Sequence, residues 1–317
     1  MIDNLSEYFS HRPNRERYQY YMNTSVADKV ANITPHLEKY EGVGKRPLIL
    51  SIGAGTGKVE SAIGDVIIDA TVVALDASVP MLETIQGQNH EVDVGKGHHV
   101  VEPVAADAEH LPFRDQSFDA IVLSSIIHEL PSYLHNFDFQ ATKPFFKECA
   151  RVLKKGGRIV IRDFMQPENP EEEVLMKIGN AKLSTDMDPL LFLKKFSEEF
   201  RGDDLAYLRG QLEGVTVGGH VRVKKSHAFE LVSHYSWSQS FNEEIAEKYG
   251  YLPVKEYTDF VMNAIKESGS DTAVVEQKTY LQEGYREHIE GRLDLQDVDG
   301  RAIPLPDFTG IIVIEKS

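Results

Sequence analysis

The stretch Leu48-Ile-Leu-Ser-Ile-Gly-Ala-Gly-Thr-Gly57 decides the fold of this 317-residue chain. Its apolar run predicts a buried β-strand, and the three glycines at alternate positions predict a sharp turn into a helix. Glycine allows left-handed backbone angles and lets a ligand approach the bare backbone. The stretch therefore indicates a nucleotide-binding loop at the end of the first strand of an alternating strand-helix domain.

The residues around the glycines exclude two classes of nucleotide-binding loop. A dinucleotide fingerprint needs a glycine where this chain has Lys58. A phosphate-binding P-loop ending at Gly57-Lys58 would need glycine in place of Ile52 and serine or threonine in place of Val59. The remaining pattern is G-x-G-x-G after a strand, and its ligand has to be identified from the other strands.

Two carboxylates follow the next two predicted strands. An apolar strand at residues 71–75 ends at Asp76, about 20 residues past the glycines, where a carboxylate can accept hydrogen bonds from both ribose hydroxyls. A short strand that follows ends at Asp107, whose carboxylate can accept from an adenine amino group. Both positions are consistent with an adenosine ligand.

Five sequence blocks appear in an order and spacing that resemble a known family. They are GAGTG (53–57), LDAS (75–78), AADAEHLPF (105–113), FDAIVLSSIIHEL (118–130) and ARVLKKGGRIVIRDF (150–164). Together they resemble the core of the class I S-adenosylmethionine (SAM) methyltransferases, in particular the type 11, UbiE-like group. The resemblance covers residues 47–164 and, weakly, the C-terminal tail. It implies an α/β fold with a doubly wound, Rossmann-like sheet of seven strands, the seventh antiparallel.

The resemblance also implies that the chain binds SAM and releases S-adenosylhomocysteine. At the matching positions the cofactor residues would be Ser51, Gly53, Ala54, Gly55, Gly57, Asp76, Ala77, Asp107, Ala108, Ser124 and, from an N-terminal helix, Tyr21. No metal is expected, because a sulfonium is already activated and the sequence has no metal-ligand spacing such as H-x-x-x-H or C-x-x-C.

His128, Glu129 and Asp163 are the candidate catalytic residues, because they follow the predicted fourth and fifth strands. The carboxyl ends of parallel strands form the mouth at which ligands bind in such sheets. Histidine titrates near neutral pH, which suits a general base. The alternatives are that His128 packs or holds a loop and that Asp163 pairs with Arg162 or caps a loop.

The chain organisation predicts four segments: an N-terminal helical lid at 1–46, the SAM-binding core at 47–164, a mainly helical inserted cap at 165–270, and terminal strands at 271–317. Asn169-Pro170 before three glutamates predicts a helix start in the cap. Residues 272–277 are the candidate sixth strand, with 293–296 as a rival. We expect the insertion to shape the substrate pocket, because it leaves the mouth of the sheet; a stability or dimerisation element is the alternative.

Basic and aromatic side chains in the core and the later segments are candidate substrate contacts: Arg162, His234, Tyr235, Tyr285 and Arg286. Such residues suit a small or medium organic acceptor with an anionic group. Methylation of oxygen or nitrogen is expected ahead of carbon, because a candidate base is present. Two alternatives stay open: a methyltransferase for a nucleotide or RNA base, with basic residues 12–17 and 222–227 converging on the pocket, and a SAM-binding regulatory protein without turnover.

Composition restricts the partners further. The formal net charge is −16, from 50 acidic and 34 basic residues, which disfavours non-specific binding to nucleic acid. The sequence shows no apolar run of membrane-spanning length and no signal peptide, and its single cysteine, Cys149, is expected in the core. A cytoplasmic protein without membrane contact is therefore expected. The oligomeric state is left open, with a homodimer among the options.

Overall fold

The computed structural model describes residues 25–41, 46–89, 100–180 and 187–317. Tyr21 and the basic stretch at 12–17 lie outside these residues. The chain divides into two compact units. The first comprises the described residues up to Asp163 together with Lys255–Lys278 and Gly310–Ser317, and the second comprises Phe164–Val254 and Thr279–Thr309.

The strands and helices of the described residues alternate along the first unit. The strands are β1 (Leu48–Ile52), β2 (Thr71–Asp76), β3 (Val100–Ala105), β4 (Phe118–Ser124), β5 (Leu153–Phe164), β6 (Glu173–Ile178), β7 (His220–Lys224), β8 (Thr272–Tyr280), β9 (Leu293–Gln296) and β10 (Thr309–Lys316). The α-helices are α1 (Val26–Ile33), α2 (Lys58–Val66), α3 (Val79–Asn89), α4 (Glu129–Leu134), α5 (Lys143–Val152), α6 (Pro189–Glu199), α7 (Ala206–Leu212), α8 (Lys225–Tyr235), α9 (Phe241–Glu244), α10 (Val254–Glu267) and α11 (Tyr285–Ile289).

The first unit is built on a seven-stranded sheet with the order β3-β2-β1-β4-β5-β10-β8. Strands β1 to β5 pair in parallel. Near the end of β10, the Glu315 carboxylate accepts a hydrogen bond of 3.0 Å from Arg158 of β5, and Ser317 N donates to the Asp271 carbonyl just before β8. Strand β10 therefore runs against both neighbours, which confirms the doubly wound sheet with an antiparallel seventh strand. Strand β8 is the sixth strand, and its rival β9 belongs to another sheet.

Helices cover the sheet with closely packed apolar side chains. Cys149 is buried on α5, and burial raises the pKa of its thiol well above the ordinary range, as expected for a core cysteine. Tyr257 and Phe260 of α10 pack against the ring of Phe139 at centroid distances of 4.9 and 4.8 Å. Residues 255–267 thus belong to the first unit, although the sequence pattern placed them in the insertion.

Gly57 closes the turn between β1 and α2 with a φ of +74°, and its replacement by alanine is expected to destabilise the fold. An added Cβ would lie 2.5 Å from Ile85 Cγ1. We expect a loss of about 1–3 kcal/mol in the free energy of unfolding, measured by urea denaturation. Gly156→Ala is the matched control, because Gly156 has a φ of +72° with nothing within 4 Å of an added Cβ. Equal losses in the two variants would exclude a packing cost at Gly57.

The second unit contains a three-stranded antiparallel sheet with the order β7-β6-β9, covered by helices. The helix predicted after Asn169 is wrong: residues 173–178 form β6. Val174, Met176 and Ile178 alternate into the core, which is the period of a strand, and Asn169 itself takes a left-handed turn with a φ of +54°. The predicted mainly helical insertion therefore includes a sheet as well.

None of the helices in the described part of the chain has both the length and the apolar character that a membrane-spanning helix requires.

Candidate functional site

The glycine loop forms a tight turn at the carboxyl end of β1. Gly53, Gly55 and Gly57 have φ angles of +73°, +53° and +74°, in the left-handed region that glycine adopts without strain. The N–H groups of Gly53 and Ala54 both donate to the Leu75 carbonyl of β2, at 2.8 and 3.1 Å. The loop is thereby fixed to the neighbouring strand, with its backbone bare of side chains.

Asp76 ends β2 and anchors the glycine loop from the other side. One carboxylate oxygen accepts from Gly55 N at 2.8 Å, and the other accepts from Ser78 N at 2.8 Å. Burial raises the pKa of Asp76, although backbone N–H groups, including that of Ala77, oppose this shift by favouring the carboxylate. The carboxylate therefore lies beside the loop, at the position expected for a ribose-binding acid.

Three buried polar atoms at this edge of the sheet have no hydrogen-bond partner among the described residues: Ser78 Oγ, Ser124 Oγ and Glu60 Oε2. The other oxygen of Glu60 accepts a hydrogen bond of 2.6 Å from Ser51 Oγ at the end of β1. Buried polar groups in proteins are normally hydrogen-bonded, so unsatisfied atoms next to a glycine loop fit a polar ligand. SAM, with its hydroxyls, amines and carboxylate, meets this requirement.

Asp107 lies on an exposed turn just beyond β3. Its carboxylate accepts from Glu109 N at 2.9 Å and lies 3.0 Å from His110 Nδ1. Ala108, the next residue, is half-buried. These contacts fix the orientation of the carboxylate, and its role towards adenine stays a prediction.

His128 and Asp163 form a buried dyad at the carboxyl ends of β4 and β5. His128 Nδ1 lies 2.6 Å from one oxygen of Asp163, and the other oxygen accepts from Ile127 N at 2.7 Å. A carboxylate beside Nδ1 favours the tautomer with the proton on that nitrogen, so that Nε2 is the basic atom. Glu129, the third predicted catalytic residue, begins α4 and is half-buried.

Arg162 holds helix α1 rather than lying open to a substrate. Its Nη2 and Nε donate to one oxygen of Asp28 at 2.6 and 3.2 Å, and Nη1 contacts Ser125 Oγ at 3.3 Å. The side chain is buried together with this ion pair. The structure therefore argues against Arg162 as a direct substrate contact and assigns it to the support of the mouth.

His234 lies in the core of the second unit, which argues against its predicted role as a substrate contact. Its Nδ1 is 2.9 Å from the Glu230 carbonyl, and its Nε2 is 3.2 and 3.1 Å from the carbonyls of Glu244 and Glu247. The ring stacks on Tyr249 at a centroid distance of 4.0 Å. Burial lowers the pKa of His234 to about 4, so the ring is neutral at physiological pH.

The other predicted substrate residues of the second unit do not form a common surface. Tyr235 is buried and its hydroxyl donates to the Met187 carbonyl at 2.9 Å. Tyr285 is also a core residue, whereas Arg286 is exposed and pairs with Glu290 on its own helix at 2.8 Å. The sequence could not separate these cases, because a polar side chain on a helix buried on all sides looks the same as one facing a pocket.

The basic residues at 222–227 are matched by acidic residues within the same unit. Arg222, Lys224 and Lys225 pair with Glu173, Glu171 and Glu172 at 3.1, 2.6 and 2.5 Å. Glutamates opposite each cation reduce the positive field that a nucleic acid would require. This pairing counts against the nucleic-acid alternative.

Sequence reasoning missed two buried charges next to the loop, Lys29 on α1 and Glu60 on α2. A signal for each was present. Lys29 precedes Ile33 by four residues and Glu60 precedes Gly64 by four, so each charge shares a helix face with a core residue.

Comparison with known proteins agrees with this geometry. A family model described as a methyltransferase domain matches residues 50–161. The demethylmenaquinone methyltransferase of Mycobacterium sp. (strain KMS) is 34% identical over 136 residues, which cover 43% of this chain and 49% of the relative. The ubiquinone/menaquinone biosynthesis C-methyltransferase UbiE of Hahella chejuensis is 31% identical over 130 residues, which cover 41% of this chain and 47% of the relative.

The chain spans about half the length of the curated relatives that it matches. Among solved structures, a SAM-dependent methyltransferase from Methanosarcina mazei aligns over 89% of this chain and 96% of its own, with 14% identity and a TM-score of 0.46. The fold assignment rests instead on the strand order and the glycine loop. Through residues 50–161, this chain belongs to the class I SAM-dependent methyltransferase family.

Proposed function

We propose that this protein transfers a methyl group from SAM to a small or medium organic acceptor, with His128 as the general base. The observation that carries the proposal is the His128–Asp163 dyad, joined at 2.6 Å and positioned by the carboxyl ends of β4 and β5. The glycine loop lies at the carboxyl end of β1, which pairs with β4 in the same sheet. Cofactor loop and base therefore belong to one mouth.

The residues of the chain would divide the work as follows. Gly53, Gly55 and Asp76 would hold the adenosine part of SAM, which when bound supplies a methyl group already activated on sulfur. His128 Nε2 would take the proton of an acceptor hydroxyl or amine, and Asp163 would stabilise the resulting imidazolium. General-base catalysis of this kind contributes roughly 10²–10⁴ to a rate.

A second candidate is methylation of a ring carbon, and the printed names of the relatives favour it. Demethylmenaquinone methyltransferase and the C-methyltransferase UbiE are named for quinone precursors. The same base serves this reaction, because removing the proton from a phenolic hydroxyl makes the ring carbons beside it nucleophilic. The second unit lies outside the matched residues 50–161, so the acceptor of this chain is a separate question.

The proposal is tested by incubating the protein with methyl-labelled SAM and a fractionated cell extract. We expect S-adenosylhomocysteine and a labelled small molecule, whose mass fragmentation tells methyl on oxygen or nitrogen from methyl on carbon. Label in ribonuclease-sensitive material would favour the RNA alternative instead. SAM binding without turnover in any fraction would contradict the enzyme proposal and favour a regulatory protein.

A further inference from the structure

Two oppositely charged side chains are buried next to the glycine loop. Lys29 of α1 is 7% exposed and Glu60 of α2 is 2% exposed, and α1 packs against α2. Glu60 Oε1 accepts from Ser51 Oγ, which places the carboxylate under the carboxyl end of β1. Lys29 is in electrostatic contact with Glu60 and also with Asp163 of the dyad. The pair therefore lies between the loop and the dyad.

Neither charge is satisfied by the described residues. Glu60 Oε2 is buried without a hydrogen-bond partner, and the Lys29 ammonium makes no hydrogen bond or ion pair with any described residue. Burial lowers the pKa of Lys29 to about 8 and raises that of Glu60 to about 7. Buried charges in proteins are normally paired, so two such groups side by side but unpaired indicate a ligand with both charges.

We propose that Glu60 and Lys29 bind the amino-acid end of SAM. Glu60 Oε2 accepts from the α-ammonium group, and the Lys29 ammonium donates to the α-carboxylate. An α-amino acid is a zwitterion, so it satisfies both side chains and leaves the net charge of the site unchanged. The inference rests on the proposed function, since it takes SAM as the ligand of the glycine loop.

The neighbouring cation is already committed to another contact. Arg162 donates to Asp28 at 2.6 Å, and this ion pair holds α1 in place. Lys29, one residue after Asp28, is therefore presented to the mouth by an anchored helix. A fixed ammonium of this kind fits recognition of a carboxylate, because little side-chain freedom is lost on binding.

The test compares three ligands by calorimetry on the full chain: SAM, decarboxylated SAM, which lacks the carboxylate, and 5′-methylthioadenosine, which lacks the whole amino-acid end. Lys29→Met is expected to weaken SAM binding by roughly 10- to 100-fold and to leave decarboxylated SAM unchanged, since a hydrogen bond between charged groups is lost. Glu60→Gln keeps the acceptor for Ser51 and is expected to weaken both SAM and decarboxylated SAM. Neither variant should change the affinity for 5′-methylthioadenosine.

Lys255→Met is the matched control, because Lys255 is exposed and pairs with Asp259 on α10. Unchanged SAM affinity in both site variants would overturn the inference, as would equal losses for all three ligands, which would mean a structural role. If a variant does not fold, the wild-type chain still decides: equal affinity for SAM and 5′-methylthioadenosine overturns the inference. Failure of the wild-type chain to bind any of the three ligands would overturn the proposed function as well.

Discussion

Replacing Gly55 with valine is expected to abolish SAM binding in a chain that still folds. Gly55 has a φ of +53°, and its N–H donates to the Asp76 carboxylate at 2.8 Å. A β-branched side chain is strained at this angle and would block the backbone to which the ligand must come close. We expect the affinity measured by calorimetry to fall at least ~100-fold, which corresponds to about 2.7 kcal/mol.

Gly156→Val is the control for this experiment. Gly156 also has a left-handed φ, +72°, but an added Cβ would meet nothing within 4 Å. The control should therefore carry a similar backbone strain and keep the SAM affinity of the wild type. Undiminished SAM binding by the folded Gly55→Val variant would remove the cofactor assignment.

Turnover is expected to fall by roughly 10²–10⁴ in His128→Ala, while the affinity for SAM stays within a factor of a few. Asp163→Asn should have a similar effect for a different reason. Its amide oxygen can still accept from Ile127 N, which leaves the amide nitrogen facing His128 Nδ1. The ring would then carry its proton on Nε2 and could not act as a base.

The dyad variants are measured with labelled SAM and the acceptor fraction, with SAM affinity determined in parallel. His135→Ala is the control, because His135 pairs with Glu109 at 2.7 Å and belongs to the same unit outside the dyad. Normal turnover in His128→Ala would return His128 to a packing role. Loss of SAM affinity together with turnover would mean that the dyad supports the fold of the mouth.

The sequence predicted the first sheet well, because its signals are local. The glycines after β1 and the acid after β2 are each fixed by one strand and one turn, and the strand order then follows from the family pattern. Residues 173–178 were less predictable, because the Asn169-Pro170 start and the glutamates are typical of a helix. The alternation of Val174, Met176 and Ile178 was the competing signal, and pairing with β7 and β9 makes it prevail.

The chemistry of single side chains was harder to predict than the sheet. His234 and His128 are both buried histidines, and only tertiary contacts distinguish them: three carbonyl oxygens around the first and a carboxylate beside the second. Lys29 carries a charge on an apolar helix face, and its proximity to Glu60 arises from packing of α1 on α2. No pattern within one helix contains that contact.

The central claim is that the glycine loop and Asp76 bind SAM and no dinucleotide. Calorimetric titration of the wild-type chain with SAM, and separately with NAD, tests it most directly. The account predicts that one SAM molecule binds per chain and that NAD does not bind, because Lys58 occupies the position at which a dinucleotide loop needs its third glycine. Binding of NAD without binding of SAM would contradict the account.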